Sequence, residues 1–463
     1  MNRYFVLIVI ILIVSIVAAT FIFWNPFQQE RSPEDILNEL YSIHPSPSAA
    51  EKGEPPINVI FVLHIEPCLD KSGYMYMSSS RVYQEYNEVK QELQWLLNFC
   101  SQTGVKMTAL FNGWYMQVAL RKNDLNHLKD LLSAGHEIGT HAHSICYDKS
   151  KDAWHRCSQP DRWFADAKKA IDEVLSKIGM GKNRVMCAMF ERGKYAQECA
   201  LMQKYGFDIG LGNRPEIALN YFGHIAWNPW RASCVDDYSS CLAENFSTPF
   251  VSIDHRAQIG STTAHGGVDS RSNTLKRQFL MIFLEWKVRE AYDIEDKVWS
   301  WGVVHHPNYG SRYHDHIEDF FTWLNKYFIN KKTVKGYTIA VYATASQVAD
   351  EYYSWEKNHP GRSSFSYTEG GKYPYYTEFA KNILLNSEYQ GEEQLSNDVI
   401  AFILKNSKGY VIVLWNKGGG IKTVDLTKYF SGEVKLCTPW GTYVTLKPNN
   451  IPIGDIPLIV VKS

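Results

Sequence analysis

The chain has 463 residues, a net charge of −1 and 45% hydrophobic residues, enough for two or three domains with a large core. Near-neutrality excludes the electrostatic footprint of a nucleic-acid binder or a polybasic membrane patch. The 14 Trp and 28 Tyr suit a large β-rich core as well as they suit surfaces that stack on sugar rings.

Tyr4 to Trp24 is an uncharged apolar run preceded by Arg3. It is long enough to cross a bilayer and longer than the apolar region of most signal peptides. Ala18-Ala19-Thr20 inside the run offers a cleavage site, and either fate exports the rest of the chain, because the short basic N-terminus stays inside. The expectation is a single-pass signal-anchor over 1–25 with the remainder extracytoplasmic. Residues 26–56, rich in Pro, Ser, Glu and Lys, read as a linker with one short helical patch around Pro33 to Ser42.

The pattern changes at residue 57. NVIFVLHIE reads as a buried strand and NEVKQELQWLLNFCSQTG as an amphipathic helix with a Gly stop. VKMTALFNG, NDLNHLKDLLSAGH, EIGTHAHS, DRWFADAKKAIDEVLSKIG, RVMCAMFERG and QECALMQKYG continue the alternation. Strands and helices in this rhythm imply parallel βα units, in an open sheet or a barrel. The nearly all-apolar strands suit a sheet covered on both faces. Residues 213–275 are irregular, as expected of loops at an active face. Alternation resumes with LKRQFLMIFLEWKVREAY, VWSWGVVHHP, HIEDFFTWLNKYF and YTIAVYA, and strand-turn-strand patterning fills the chain from about residue 381. The expected organisation is an α/β domain over 57–358, then a connection and a small antiparallel β-sandwich over 359–463.

The chain has 9 Cys. Cys146 with Cys157, and Cys234 with Cys241, have loop-closing spacing that suits an oxidising compartment. Cys68, Cys100, Cys187 and Cys199 lie in or near apolar segments and read as buried thiols.

Two strand ends carry the strongest chemical signal. VIFVLHIE and GHEIGTHAHS each place two metal-capable side chains two residues apart, and residues i and i+2 share one face of a strand. If the strands are near neighbours, His64, Glu66, His141 and His143 converge as three imidazoles and a carboxylate, a ligand set for zinc or a similar divalent ion. Catalytic groups of parallel α/β folds lie at the C-terminal ends of strands. Glu191 and Arg192, Asp254 and His255, and His305 and His306 occupy such ends as well. By alternation His305 faces away from His306 and reads as structural. His314 and His316 read as solvated, and Trp227 and Trp230 as core.

GVKMTALFNG, GHEIGTHAHS, MFERGKY followed by MQKYGFDIG, and VVHHP resemble, in order and spacing, the motifs of the NodB-homology polysaccharide deacetylases of the glycoside hydrolase/deacetylase superfamily. The resemblance spans roughly 57–350. It implies a distorted (β/α)7 barrel and metal-assisted hydrolysis of N-acetyl or O-acetyl groups on a polysaccharide. The chain departs from the family pattern at three places. An Asp-Asp pair, base then ligand, is replaced by His64-Ile65-Glu66-Pro67. The second motif's two His stand four apart in the family, whereas position 145 here is Ile and the second His is His143. The family Arg is shifted to Arg192, behind Glu191. The resemblance therefore implies a variant site in which His64, Glu66, His141 and His143 hold a divalent metal, zinc being the implied ion. Asp70 or Glu191 would act as base, and Arg192 would orient the base or hold a substrate oxygen. His306 is the expected general acid, since a His near its ordinary pKa can protonate a leaving amine or alkoxide. The expected partners are a glycan substrate and the membrane. Two other readings stay open: a glycoside hydrolase with a carboxylate pair drawn from Glu66, Glu191 and Asp254, and a non-catalytic glycan-binding envelope protein.

Overall fold

The computed structural model describes residues 31–43, 55–188, 194–211, 227–236, 245–255, 257–258, 272–292, 297–362 and 378–463. The apolar run Tyr4 to Trp24 lies outside them, and among the described residues no helix is long and apolar enough to cross a membrane.

In chain order, the strands of the first part are β1 (Ile57–Ile65), β2 (Tyr74–Tyr76), β3 (Met107–Phe111), β4 (Glu137–Ala142), β5 (Ile145–Asp148) and β6 (Ala153–Arg156). Next come β7 (Val185–Ala188), β8 (Ile209–Leu211), β9 (Val251–Ile253), β10 (Ala257–Gln258), β11 (Trp299–His305) and β12 (Ala340–Tyr342). Strands β11, β1, β3, β4, β7, β8 and β9 are successive neighbours, all parallel. β9 pairs with β8, and β10, just after it in the chain, pairs with β11. One stretch of chain thus joins both ends of the sheet, and the ring nearly closes as a seven-stranded parallel barrel.

Alternation along the strands separates two cores. Ile60, Val62, Val185 and Ile253 belong to one buried cluster, with Val348 and Tyr352 of the Ala345–Asn358 helix packed into it. Phe61, Leu63 and Ile65, the intervening residues of β1, belong to another, shared with the flanking helices. The helices stop where the sequence tells them to. Ser79 caps the Ser80–Thr103 helix by accepting from the Val82 N–H, and Gly104 ends it at a φ of 77° that a residue with a side chain rarely adopts.

The C-terminal part holds β13 (Glu388–Gln394), β14 (Val399–Asn406), β15 (Gly409–Asn416), β16 (Lys422–Val424), β17 (Val434–Cys437), β18 (Tyr443–Leu446), β19 (Ile451–Ile453) and β20 (Leu458–Lys462). Six of them form an antiparallel sheet in the order β13-β14-β15-β20-β17-β18, and β16 pairs only with β19. The expected sandwich is therefore corrected to one large sheet covered on both faces by unlike layers. Phe402, Val413 and Trp415 face the barrel side, where Trp415 stacks on Phe328 at 5.7 Å. Ala401, Ile412 and Leu414 face the β16–β19 ribbon and the Pro33–Tyr41 helix. That helix buries Ile36, Leu37 and Leu40, so the helical patch between the apolar run and the barrel serves as part of the C-terminal core.

Cys146 and Cys157 are joined, tying the β5–β6 hairpin at its base. Cys234 pairs with Cys199, 35 residues away. This corrects both the proposed Cys234–Cys241 loop and the reading of Cys199 as a buried thiol, and Cys241 lies outside the described residues.

Two buried imidazoles outside the strand ends set a pH window. Burial pushes His136 down to about 4, with Lys106 adding to the effect. Burial likewise pushes His127 down to about 4, only partly offset by Asp124. The Met107 N–H donates to His136 Nδ1, a bond that only the unprotonated nitrogen can accept. An unfolded chain binds protons at its His near pH 6.5, whereas the folded chain refuses them until about pH 4. Stability should fall as pH drops through that window, by up to about 3 kcal/mol per ring. Urea denaturation between pH 7 and 4 checks this. His136→Gln should flatten the decline, and an unchanged slope would remove His136 from it.

Candidate metal centre

The site forms because the inward parity of four strands ends on metal-capable side chains at one end of the barrel. His64 shares the face of Ile60 and Val62, and Glu66 follows at the same spacing just past β1. The pairing of Leu63 with His305 brings His306 beside His64, and His141 of β4 is the direct partner of Cys187 of β7. β1 and β4 are separated only by β3.

Glu66 is the meeting point. His143 Nε2 lies 2.6 Å from Glu66 Oε2, and His141 Nε2 lies 3.2 Å from Glu66 Oε1. The two histidine Nε2 atoms are 2.8 Å apart. His306 Nε2 reaches the same carboxylate, 3.3 Å from Oε1. His64 stacks on His141 with ring centroids 4.2 Å apart and meets His306 edge-on at 5.4 Å. Of the four expected ligands, Glu66, His141 and His143 form one set of potential donors, while His64 joins Glu66 and His306 in another.

The donor chemistry fits a divalent ion. Two imidazoles and a carboxylate are a zinc set of the open, catalytic kind, with three protein ligands and room for a water. Zinc–ligand bonds near 2.0–2.1 Å imply donors roughly 3.3 Å apart on a tetrahedron. The two histidine nitrogens stand 2.8 Å apart, and each lies 2.6–3.2 Å from a different oxygen of the Glu66 carboxylate, separations of the same order.

Electrostatics point the same way. Burial alone would raise the Glu66 carboxyl. The charge of His141 and hydrogen bonds from His141, His143 and His306 instead hold it well below the usual carboxylate range. Burial, reinforced by His141, His255 and His306, pushes His64 well below its ordinary value. Burial also lowers His141, against the pull of Glu66. An ionised carboxylate, with His64 and His141 pushed toward the neutral ring, matches the deprotonated ligands that a metal requires.

The surrounding shell holds this geometry by the backbone. The Glu66 N–H donates to Asn308 Oδ1 at 2.9 Å, and Trp114 Nε1 donates to the Glu66 carbonyl at 2.9 Å. Asn112 Nδ2 donates to the His141 carbonyl at 3.0 Å. The sequence reading missed all three. Asn112 and Asn308 each stand just beyond a barrel strand, the position that marked the histidines, yet an amide carries no ligand signal.

Asp70 joins none of the donor sets among the described residues. Its Oδ1 accepts from the Ser72 N–H and hydroxyl and from the Tyr74 N–H, the pattern of a turn residue. Glu191 and Arg192 lie outside the described residues. His305 does face away, toward Glu92 at 3.4 Å. His314, expected to be solvated, instead sits 2.9 Å from Glu92 and stacks on Trp95. Trp227 and Trp230 are buried core residues.

No protein-family model matches the chain, and no curated protein sequence does. The chain is structurally similar, at low identity, to CE4 polysaccharide deacetylases and members of the glycoside hydrolase/deacetylase superfamily. One is the Xyl-CE4 domain of a multidomain xylanase from the hindgut metagenome of Trinervitermes trinervoides, with 10% identity, 65% of this chain and 92% of that chain covered, and a TM-score of 0.30. A CE4 family pseudoenzyme from Bacillus anthracis matches with 11% identity, 67% and 71% coverage and a TM-score of 0.30. A GH57-type branching enzyme from Pyrococcus horikoshii matches with 8% identity, 64% and 70% coverage and a TM-score of 0.37. Scores this low leave the barrel resting on its strand pairing and the site on its geometry.

Equilibrium dialysis with zinc checks the donor set. Glu66→Ala and His143→Ala should each lower affinity by more than the 10- to 100-fold usual for losing an outer partner. Asn112→Ala should stay within that range, and Asp70→Asn should bind as the wild type does.

Proposed function

We propose that the chain is a metal-dependent hydrolase that removes acetyl groups from an extracytoplasmic polysaccharide or glycan. The observation that carries this reading is the arrangement around Glu66, with His141 and His143 completing a three-donor set and His306 standing at the same carboxylate. A divalent ion held by Glu66, His141 and His143 would polarise an acyl oxygen and lower the pKa of a water molecule. His306, buried and fixed at the end of β11, is placed to give a proton to the leaving nitrogen or oxygen. Glu191 remains the candidate for the base. Tyr309, 43% exposed and 5.4 Å from His306 by ring centroids, offers an aromatic face to a sugar at the mouth of the site.

The motif resemblance supports the substrate class. The two disulfides support an oxidising compartment, and the apolar run Tyr4 to Trp24 supports a membrane anchor on the cytoplasmic side of the catalytic domain.

The test is acetate release from acetylated glucosamine oligomers or peptidoglycan fragments by the zinc-loaded protein. His306→Ala should lower turnover by roughly 10²- to 10⁴-fold, with zinc still bound. A fully active His306→Ala would remove that residue from the mechanism. A wild type that binds zinc and releases no acetate from any glycan would favour a non-catalytic glycan binder.

A further inference from the structure

A second donor set in the barrel takes no part in the proposed hydrolysis. His64 near the end of β1, Cys187 on β7 and His255 just past β9 each offer a ligand atom, and the three atoms lie within 4.8 Å of one another. β1, β7 and β9 are not neighbours in the ring, so only side chains that face the bore can meet in this way. All three residues are buried, and His64 Nε2 has no hydrogen-bond partner among the described residues. The backbone makes room for the cluster. A Cβ on Gly302 of β11 would stand 2.6 Å from His255 Cα and 3.0 Å from the Asp254 carbonyl oxygen, so β11 admits His255 because residue 302 is glycine.

We infer that His64, Cys187 and His255 form a second metal site, suited to zinc and adjoining the Glu66 site through the stacked rings of His64 and His141. Thiolate and imidazole are the ligands zinc favours, and the thiolate makes the set unattractive to magnesium or calcium. The three donors come from well-separated strands, so an ion here would tie β1, β7 and β9 together across the bore, and its binding energy would be folding energy. The site stands independently of the hydrolase reading, because it shares no ligand with Glu66, His141 and His143.

Cobalt distinguishes the two sites, since only this one has a thiolate. The metal-free full-length chain titrated with Co²⁺ should take up two equivalents and develop a thiolate-to-cobalt charge-transfer band in the near ultraviolet. Cys187→Ser should lose the band and one equivalent while keeping the other. His143→Ala should keep the band and lose the other equivalent. Should Cys187→Ser fail to fold, His255→Gln is read in the same way. Gly302→Ala, which crowds His255, should weaken the cobalt affinity read from the band at least tenfold. A wild type saturated with cobalt and lacking the band would overturn the site, as would a band that persists in Cys187→Ser. A wild type with the band and a single equivalent would uphold this site and remove the Glu66 one.

Discussion

A carboxylate enclosed by imidazoles is the constraint on which this end of the barrel depends. Burial works against an ionised Glu66, and the surrounding His141, His143 and His306 reverse that effect. The dependence runs in both directions. Without Glu66, the Nε2 atoms of His141 and His143 would face each other at 2.8 Å with no shared anion, and one would have to donate to the other or turn away. A half-buried carboxylate without these neighbours would hold its proton more tightly, and the imidazoles alone would be ordinary packing. Together they make a pocket of nitrogen and oxygen donors of the kind a divalent cation takes.

The pocket exists because the ring is held in shape from outside. β9 and β10 lock β8 to β11, and the outer core of β1 packs under helices that in turn meet the C-terminal sheet. Trp415 against Phe328 and Phe283 couples that sheet to the Ser272–Tyr292 helix. On the sheet's far side lie Ile36, Leu37 and Leu40, contributed by a segment that precedes the barrel in the chain. The layers thus run from the N-terminal helix through the C-terminal sheet to the barrel. Removing a buried Leu such as Leu40 from such a stack costs about 2–5 kcal/mol, at a place remote from the metal donors.

Much of this was legible in the sequence because period-two alternation is a strong signal when both faces of a sheet are covered. It placed His64 with Glu66 and His141 with His143, separated His305 from His306, and identified parallel βα units. The features that escaped had no local signal. Cys199 and Cys234 meet across 35 residues, beyond any spacing argument. Cys187 hides in the apolar run RVMCAMF, where only the barrel's curvature reveals that it and His255 look toward His64. His314 read as a solvated helix start, because nothing in sequence shows that Glu92 from a distant helix lies beneath it. Asp70 reads as a candidate base because an acid near a metal motif invites that role. The Ser72 and Tyr74 groups that bond to it belong to a turn whose geometry the sequence only hinted at.

The departures from the deacetylase motif compensate one another in chemical kind. Where the resembled motif supplies an aspartate and two histidines four residues apart, this chain supplies a glutamate and two histidines two apart. Glutamate reaches one methylene farther than aspartate, and a spacing of two keeps both imidazoles on the same side of an extended strand. A carboxylate and two imidazoles still converge. The residue lost outright is the aspartate that would serve as base, and His64 stands near its place as a neutral, buried ring. Random decay of a metal site would replace donors with inert side chains more often than with other donors. Here Ile145 stands where the resembled motif has its second histidine, yet His143, Glu66 and His64 keep up the number of candidate donors, and the proposal of a rebuilt site rests on that.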